Sequence, residues 1–353
     1  MIMGKKDELG FGIIGCGVVG PWHADAIRKT AGAKLVAVAD ALEERAKALG
    51  TKYVVPWYSD YHELLRRADV DVVNICVPSG MHTEVVIAAA EAGKHILCEK
   101  PIDITLEKAD AMIKAAGAAG VRLGIIFQSR FKSGSRMLKR AIEGGKLGRL
   151  ILCDAYLKYY RTQEYYDSGQ WRGTWALDGG GCLMNQGIHG IDLLQWLAGP
   201  VESVEAYMGI FAHERIEVED IAIALLKFKS GAIGVIEGST AAYPGFPTVH
   251  EIHGTNGSVR LEDGIIKGWD FIDALAEDKD VVRQFQEEEA KIDRSDPAAV
   301  IGESHRPQIE DMVAAIKEDR EPAVNGEEGR KSVEIILGIY KSAREGKPVA
   351  FPL

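Results

Sequence analysis

Two residues suited to proton transfer stand out in this sequence, the lysine of Glu99-Lys100-Pro101 and the histidine of the later run GGGCLMNQGIHGID. A lysine can exchange a proton near pH 7 only when its pKa falls from about 10.4, and partial burial or a nearby positive charge lowers it. Histidine titrates near pH 6.5 without such help. Lys100 and His189 are therefore the candidate pair for general acid–base chemistry.

The residues around His189 predict a helix that begins after three glycines. Asn185, His189 and Asp192 recur at spacings of four and three residues, which places an amide, an imidazole and a carboxylate on one face. The Asn185 amide can orient a substrate or the imidazole, but it cannot take up a proton. Asp192 is interpreted as a packing residue, with orientation of His189 as the alternative.

A glycine-rich loop follows the first apolar run of the chain. In GIIGCGVVG the spacing GxGxxG places Gly15 at a tight turn, Gly17 where a pyrophosphate approaches the backbone, and Gly20 where helix and strand pack closely. Asp40 ends the next predicted strand, and its carboxylate could accept hydrogen bonds from ribose hydroxyls and repel a 2′-phosphate. The loop predicts a dinucleotide site that prefers NAD. NADP is the less favoured alternative, which stays open because Arg45 lies nearby in the sequence.

The residues expected to contact the cofactor come from this loop and from the ends of three later strands. They are Gly15, Cys16, Gly17, Val18, Val19, Gly20, Asp40, Pro78, His82, Glu99 and Lys100. For His82 the alternative is a role at the start of the following helix. The thiols of Cys16 and Cys98 are interpreted as small packing groups.

The order of elements predicts an α/β fold with two domains. Up to about residue 129, short apolar runs alternate with amphipathic helical segments, the pattern of a Rossmann domain with a doubly wound parallel sheet. Later runs, from LILCDAYLKYY to GSVRLE, follow one another without helices and predict a large open, mostly antiparallel sheet. The predicted domains are 1–129, for the dinucleotide, and 130–353, for substrate binding and oligomerisation. The acidic segment from Ala276 to Arg294 is predicted to be a solvated loop or surface helix, with a substrate lid as the alternative.

The segment YYRTQEYYDSGQWRGTW combines aromatic rings with arginines. Aromatic planes stack on sugar rings, and a guanidinium binds a carboxylate or phosphate through two hydrogen bonds. We interpret the segment as a substrate-specificity loop, with packing between domains as an equal alternative. The residues expected to bind substrate are Lys100, Arg130, Tyr160, Trp171, Arg172, Asn185 and His189. For Arg130 a structural ion pair is the alternative.

Three segments, Gly15–Gly20, Glu99-Lys100-Pro101 and Gly179–Asp192, together resemble the Gfo/Idh/MocA family, which includes glucose–fructose oxidoreductase and inositol dehydrogenase. They occur in the family's order and approximate spacing, and the likeness extends over nearly the whole chain. It implies a Rossmann domain, a second domain with an open antiparallel sheet, and a homodimer or homotetramer formed through that sheet. It also implies that Lys100 lies beside the nicotinamide and that His189 relays the proton. The family often has Asp where this chain has Asn185, which leaves a simpler pair of Lys100 and His189.

These observations predict an NAD-dependent oxidoreductase that transfers a hydride between nicotinamide and a ring carbinol or ketone. Its substrate would be a carbohydrate-like molecule: a sugar, a cyclitol or a nucleotide-linked sugar. The alternatives are an NAD-dependent glycosidase that works by oxidation and elimination, and a non-catalytic regulator that senses dinucleotide. A regulator has no need of an acid–base pair, so the presence of both Lys100 and His189 favours an enzyme.

Length and composition limit the number of domains, the binding partners and the location that we expect for the protein. At 353 residues the chain suits two domains, and its net charge of -10 disfavours binding to a phosphate backbone such as that of nucleic acid. Five cysteines without paired spacing predict no metal site and no disulfide framework. No run approaches the roughly 18 apolar residues of a membrane span, so we expect no membrane association and a cytoplasmic location.

Overall fold

The computed structural model describes residues 7–290 and 297–353. Contacts divide the chain into two compact units, the first made of Met1–Gln128 with Asp293–Arg330 and the second of Ser129–Ile292 with Lys331–Leu353. This differs from the predicted domains 1–129 and 130–353, because a late helix packs against the first helix of the chain rather than within the second unit.

The first unit contains a six-stranded sheet in which every described pair is parallel. Its strands, in the order β3-β2-β1-β4-β5-β6, are β1 (Leu9–Ile14), β2 (Ala33–Ala39), β3 (Trp57–Tyr58), β4 (Val72–Ile75), β5 (His95–Cys98) and β6 (Leu123–Ile125). The order reverses between β1 and β4, which is where ligands bind at the carboxyl ends of such sheets. The predicted Rossmann sheet is confirmed.

The strands of this sheet read as continuous apolar runs because helices cover both faces. β1 and β4 are buried along their whole length. The helices of the first unit that precede its boundary are α1 (Gly20–Lys29), α2 (Glu43–Tyr53), α3 (Tyr61–Leu65), α4 (His82–Glu91) and α5 (Leu106–Ala119). α1 begins with a proline in its first turn, and α5 begins at Thr105, whose hydroxyl accepts the Lys108 N–H, and ends at Gly120 in the left-handed conformation.

The second unit contains an eight-stranded sheet in which only β7 and β10 pair in parallel among the described strands. In the order β13-β12-β11-β7-β10-β9-β8-β14, its strands are β7 (Leu150–Lys158), β8 (Val201–Gly209), β9 (Ile221–Phe228), β10 (Ile233–Ser239), β11 (Val249–Gly254), β12 (Gly257–Glu262), β13 (Ile265–Phe271) and β14 (Val349–Ala350). The mostly antiparallel sheet is as predicted.

The remaining helices are α6 (Ser133–Glu143), α7 (Gln163–Asp167), α8 (Ile188–Ala198), α9 (Val281–Ala290), α10 (Pro297–Glu318) and α11 (Gly326–Glu345). α8 packs on β7 and β11, so it covers one face of the second sheet. α10 packs on α1 within the first unit. A 3₁₀ turn over Ala276–Asp280 and the helix α9 occupy most of the acidic segment, as the surface-helix prediction required; its residues from 291 lie outside the described range.

Among the residues that the structure describes, no helix combines the length and the apolar character needed to cross a bilayer.

Candidate functional site

The glycine loop after β1 has the geometry that a dinucleotide site requires. Gly15 has φ of +101°, and a Cβ added there would lie 2.4 Å from the carbonyl oxygen of Cys76, beyond the neighbouring strand β4. A Cβ on Gly20 would lie 2.7 Å from the Gly15 carbonyl oxygen, so this glycine lets α1 approach the loop. By contrast, a Cβ on Gly17 would meet nothing nearer than an Arg45 nitrogen at 4.0 Å. Open space above Gly17 is what a pyrophosphate needs, so these residues fit NAD.

Asp40 joins this loop to the end of β2. Its carboxylate accepts hydrogen bonds from the backbone N–H groups of Cys16 at 2.7 Å and Leu42 at 2.8 Å. A carboxylate has about four acceptor positions, so these two hydrogen bonds are compatible with the predicted role of Asp40 toward ribose hydroxyls. Burial and the neighbouring Asp40 raise the pKa of the Cys16 thiol to about 12, which supports its interpretation as a packing group.

A buried hydrogen-bond network, here called the histidine network, lies at the end of β5. Glu99 Oε1 lies 2.8 Å from His23 Nε2 on α1 and 3.4 Å from His305 Nε2 on α10. The amide nitrogen of Asn74 in β4 lies 2.7 Å from His23 Nδ1. Since an amide NH₂ can only donate, His23 Nδ1 accepts and its Nε2–H donates to Glu99. Glu99 Oε2 in turn accepts the backbone N–H of Lys100 at 3.3 Å.

Protonation states in the histidine network follow from burial and hydrogen bonding. Burial lowers the pKa of His23, although its hydrogen bond to Glu99 opposes that change, so the ring is neutral. Burial alone would raise the pKa of Glu99, but hydrogen bonds from His23 and His305 hold it well below its usual range. Glu99 is therefore an ionised carboxylate that fixes the position of the Lys100 backbone.

The same three side chains could also be considered as metal ligands. The candidate ligand atoms of His23, Glu99 and His305 all lie within 4.8 Å of one another, a grouping that the sequence did not predict. The separation of 2.8 Å between His23 and Glu99 is that of a hydrogen bond with the proton in place. We therefore interpret the group as a hydrogen-bond network.

His82 lies at the start of α4 and is almost fully buried. One ring nitrogen is 2.9 Å from the carbonyl oxygen of Pro101, and the other is 3.0 Å from that of Val77. The ring thus bridges the loop after β4, which contains Pro78, to the loop that carries Lys100. Both ring nitrogens of His82 therefore contact backbone carbonyl groups of these two loops, a packing role that differs from the predicted one at the start of the helix.

In the second unit, Asn185 lies in a π-helical turn, Cys182–Gly187, which leads directly into α8 and His189. The sequence predicted an ordinary helix here. The turn is anchored by the buried Glu219, whose carboxylate accepts hydrogen bonds from the N–H groups of Gly181 at 2.9 Å and Leu183 at 3.0 Å. π-turns are often found at functional sites, because they displace side chains from the regular helical positions.

A second network, here called the amide chain, passes through this turn. A guanidinium nitrogen of Arg161 donates to Gln186 Oε1 at 2.6 Å, Gln186 Nε2 donates to Asn185 Oδ1, and Asn185 Nδ2 donates to Asp178 Oδ1. The Tyr165 hydroxyl also donates to Asn185 Oδ1, at 3.2 Å. Each link runs from a donor to an acceptor, so the two charged ends fix the orientation of both amides.

Arg130 and Asp192 form a buried ion pair. The guanidinium of Arg130 donates two hydrogen bonds to the Asp192 carboxylate, at 2.7 and 2.6 Å, and both residues are buried. The structure thus favours the structural alternative for Arg130 over substrate binding. It also favours the packing interpretation of Asp192.

The aromatic segment packs into a defined loop. The guanidinium of Arg172 lies 4.2 Å from the ring centre of Tyr165 and 4.6 Å from that of Trp171. Tyr160 contacts Tyr243 edge-on at 5.1 Å. Through Arg161 and Tyr165, the loop is hydrogen-bonded to the π-turn, so its position is tied to that of Asn185.

Several residues of these networks were not identified from the sequence. They are Asn74, His23 and His305 in the first unit, and Asp178, Gln186 and Glu219 in the second. Only Asp178 and Gln186 had a local signal, since both stand inside or beside the conspicuous run DGGGCLMNQGIH. His305 had none, because it reaches Glu99 only when α10 packs on α1.

Comparison with known proteins agrees with this geometry. Residues 9–127 match the family described as an oxidoreductase family with an NAD-binding Rossmann fold, and residues 135–260 match the GFO/IDH/MocA C-terminal domain. A myo-inositol 2-dehydrogenase of Thermotoga maritima is 30% identical over 96% of this chain and 97% of its own. The WlbA dehydrogenase of Bordetella pertussis, solved with NADH and UDP-GlcNAcA, is 34% identical with a TM-score of 0.91, over 99% of both chains. The WlbA dehydrogenase of Chromobacterium violaceum, solved with the same two ligands, is 33% identical with a TM-score of 0.89, over 100% of this chain and 99% of its own.

A parallel sheet with a glycine loop at its switch point, followed by an open antiparallel sheet, defines a two-unit dinucleotide oxidoreductase. The chain belongs to the Gfo/Idh/MocA oxidoreductase family. It is an NAD-dependent enzyme of the class that acts on sugars, cyclitols and nucleotide-linked sugars, as predicted.

Proposed function

We propose that this enzyme oxidises a ring hydroxyl of a nucleotide-linked sugar acid, with Lys100 as the general base and His189 assisting it. The proposal rests on one observation above all, the contact of the Arg172 guanidinium with the rings of Tyr165 and Trp171 in a loop hydrogen-bonded to Asn185. A guanidinium held against aromatic rings can pair with a carboxylate while the rings pack against a sugar. The similarity to two dehydrogenases solved with UDP-GlcNAcA supports the same class of substrate.

The proposed reaction separates a hydride from a proton. Bound NAD supplies the hydride acceptor. Lys100 takes the hydroxyl proton as the carbon–oxygen double bond forms, and His189 shares that proton. Glu99 holds the Lys100 backbone through its N–H, while Asn185 orients the reacting hydroxyl. The negative charge of Asp40, beside the Cys16 and Leu42 N–H groups, favours NAD over NADP.

A substrate panel tests the choice of substrate. NADH formation would be followed by absorbance with UDP-GlcNAcA, with UDP-GlcNAc, which lacks the carboxylate, and with myo-inositol. We expect UDP-GlcNAcA to give the highest kcat/KM, because only it pairs with Arg172. Equal or better turnover of myo-inositol would overturn the nucleotide-sugar assignment. Release of a sugar from its nucleotide without net NADH would indicate the glycosidase reaction instead.

Replacement of the proposed base tests the mechanism. Lys100→Ala should lower kcat by at least about 10²–10⁴-fold, the usual contribution of a general acid–base group, while calorimetry shows unchanged NADH binding. Lys114→Ala, in the exposed middle of α5, is the matched control and should turn over normally. Wild-type turnover in the Lys100 variant would end the assignment.

We also propose that the protein forms a homo-oligomer through the open face of the second sheet. Strand register places the exposed side chains of Tyr207, Ile223, Leu225, Ile233 and Leu152 on that face. Exposed apolar side chains gathered on one sheet face are typical of an interface between subunits. Light scattering should give a dimer or tetramer for the wild type and a monomer for Leu225→Glu, and a monomeric wild type would contradict the proposal.

A further inference from the structure

The amide chain ends on a buried carboxylate to which the proposed function gives no role. Asp178 lies in the turn before the three glycines and is 2% exposed. Its Oδ2 accepts the backbone N–H of Gly173 at 2.9 Å, and its Oδ1 accepts the side-chain N–H of Asn185. A neutral asparagine could satisfy the backbone N–H equally well through a single oxygen. The second oxygen accepts the side-chain N–H of Asn185, and a charge on that oxygen strengthens the hydrogen bond.

The carboxylate of Asp178 stands at one end of the amide chain, next to the side-chain amide of Asn185. Asn185 Oδ1 accepts from both Tyr165 and Gln186, and its Nδ2 donates to Asp178. Hydrogen bonds to an ionised acceptor are about twice as strong as neutral ones, and successive bonds in one direction polarise each other. Asp178 thus holds the Asn185 amide in a single orientation, with Arg161 providing the opposite charge at the far end.

We propose that Asp178 is a positioning residue for the reaction, which orients the Asn185 carboxamide toward the reacting hydroxyl of the sugar. The inference rests on the proposed role of Asn185 in substrate binding. The inference adds Asp178, which lies outside the helix that carries His189, to the residues that orient the substrate. Two positions then share the orientation of the reacting hydroxyl. Position 178 carries the charge, and position 185 presents the oriented amide.

The isosteric variant Asp178→Asn removes the charge and keeps the acceptor for Gly173. We expect kcat to fall about 10- to 100-fold, the loss associated with one hydrogen bond to a charged group, with KM for the sugar changed less than threefold. A purely structural residue would instead lower the melting temperature and leave kcat per folded molecule unchanged. Unchanged kcat in this variant would overturn the proposal.

The exchanged pair Asp178→Asn with Asn185→Asp is the sharper test. In it, the carboxylate at 185 can accept from Tyr165, from Gln186 and from the new amide at 178, while that amide's oxygen accepts the Gly173 N–H. Each of these donors keeps an acceptor and the net charge equals that of the wild type, but position 185 no longer presents an amide. We therefore expect the exchanged pair to melt near the wild-type temperature and to have a kcat no higher than that of Asp178→Asn. Asn185→Asp alone places two carboxylates in contact and should melt below the exchanged pair. An exchanged pair with a kcat at least tenfold above that of Asp178→Asn would contradict the division of roles.

A readout independent of turnover separates this proposal from the choice of substrate. The side-chain NH₂ resonances of Asn185, identified by their loss in Asn185→Asp, should shift in Asp178→Asn, because the proton loses its charged acceptor. If no sugar in the panel is oxidised by the wild type, the proposed function fails, and the shift alone decides whether Asp178 orients Asn185. Unshifted resonances would overturn the inference even if the enzyme oxidises UDP-GlcNAcA. If the exchanged pair does not fold, the kcat of Asp178→Asn and these resonances decide whether the proposal holds.

Discussion

Each of the two units fixes the position of a proposed active-site residue with a hydrogen-bond network, but the two networks use different side chains. In the first unit, the histidine network of Asn74, His23, His305 and Glu99 ends at the backbone of Lys100. In the second, the amide chain from Arg161 to Asp178 holds Asn185, four residues before His189. Imidazoles change charge within the physiological range and amides do not. The comparison therefore predicts that the first support is sensitive to acid and the second is not.

The largest effect should follow from removing the centre of the histidine network. Glu99→Ala leaves the buried Nε2–H of His23 and the backbone N–H of Lys100 without their acceptor. Leaving buried partners of a charged group unsatisfied costs about 3–5 kcal/mol. We expect that loss in the free energy of unfolding of the first unit, measured by urea titration.

The control for this experiment is Glu91→Ala, at the exposed C-terminal end of α4, which should change the same free energy by less than about 0.5 kcal/mol. Glu99→Gln keeps one acceptor oxygen and should fall between the two. If the free energy of unfolding of Glu99→Ala remained within about 1 kcal/mol of the wild-type value, the histidine network would not stabilise the first unit as we propose.

The site residues differ in whether they could be predicted from the sequence. Gly15, Gly20 and Asp40 were identified because their tasks depend on local spacing after a strand. The histidine network was not, since α1, β4, β5 and α10 contribute one residue each and only folding brings them together. The boundary at residue 129 was close to the observed one, but the return of α10 to the first unit left no pattern in the sequence.

The second network was missed for a different reason. Asp178 was not identified because it precedes the helix and contacts Asn185 from the preceding turn, outside the helical spacing of three and four residues. The π-turn further alters the spacing that a regular helix would impose. Arg130 was considered for substrate binding because QSRF resembles a family position near the active cleft, and the structure shows that Arg130 forms an ion pair with Asp192.

A smaller effect concerns acid sensitivity beneath α8. His250 in β11 is fully buried, its Nε2 lies 2.9 Å from the carbonyl oxygen of Gly190, and burial lowers its pKa to about 4. Above pH 6.5 the ring is neutral in folded and unfolded chains alike. As the pH falls from 6.5 to 4, the unfolded chain binds a proton that the folded chain does not, so stability is lost by about 3 kcal/mol.

His250→Gln keeps a donor for Gly190 and does not titrate, so it should remove this part of the pH dependence. Urea titrations from pH 8 to pH 4 would show a shallower loss of stability in the variant than in the wild type. The comparison at pH 8 serves as the control, because no ring is protonated there in either state. Equal slopes in both proteins would show that His250 is not a source of acid sensitivity in the second unit.

The smallest expected effect comes from the far end of the amide chain. Arg161 donates to the Tyr160 carbonyl oxygen at 2.8 Å and to Gln186 at 2.6 Å, and this pair of bonds requires the planar fork of a guanidinium. Arg161→Lys keeps the charge but loses one of the two bonds, a change of about 0.5–1.5 kcal/mol. Because Asn185 remains bonded to Asp178, we expect kcat to fall only about two- to tenfold, at every pH from 6 to 8.

Arg215→Lys, at an exposed ion pair with Asp167, is the matched control and should leave kcat unchanged. A loss of activity in Arg161→Lys as large as that in Asp178→Asn would mean that the two ends of the chain matter equally, and that its orientation is set by the whole series of bonds rather than by the carboxylate.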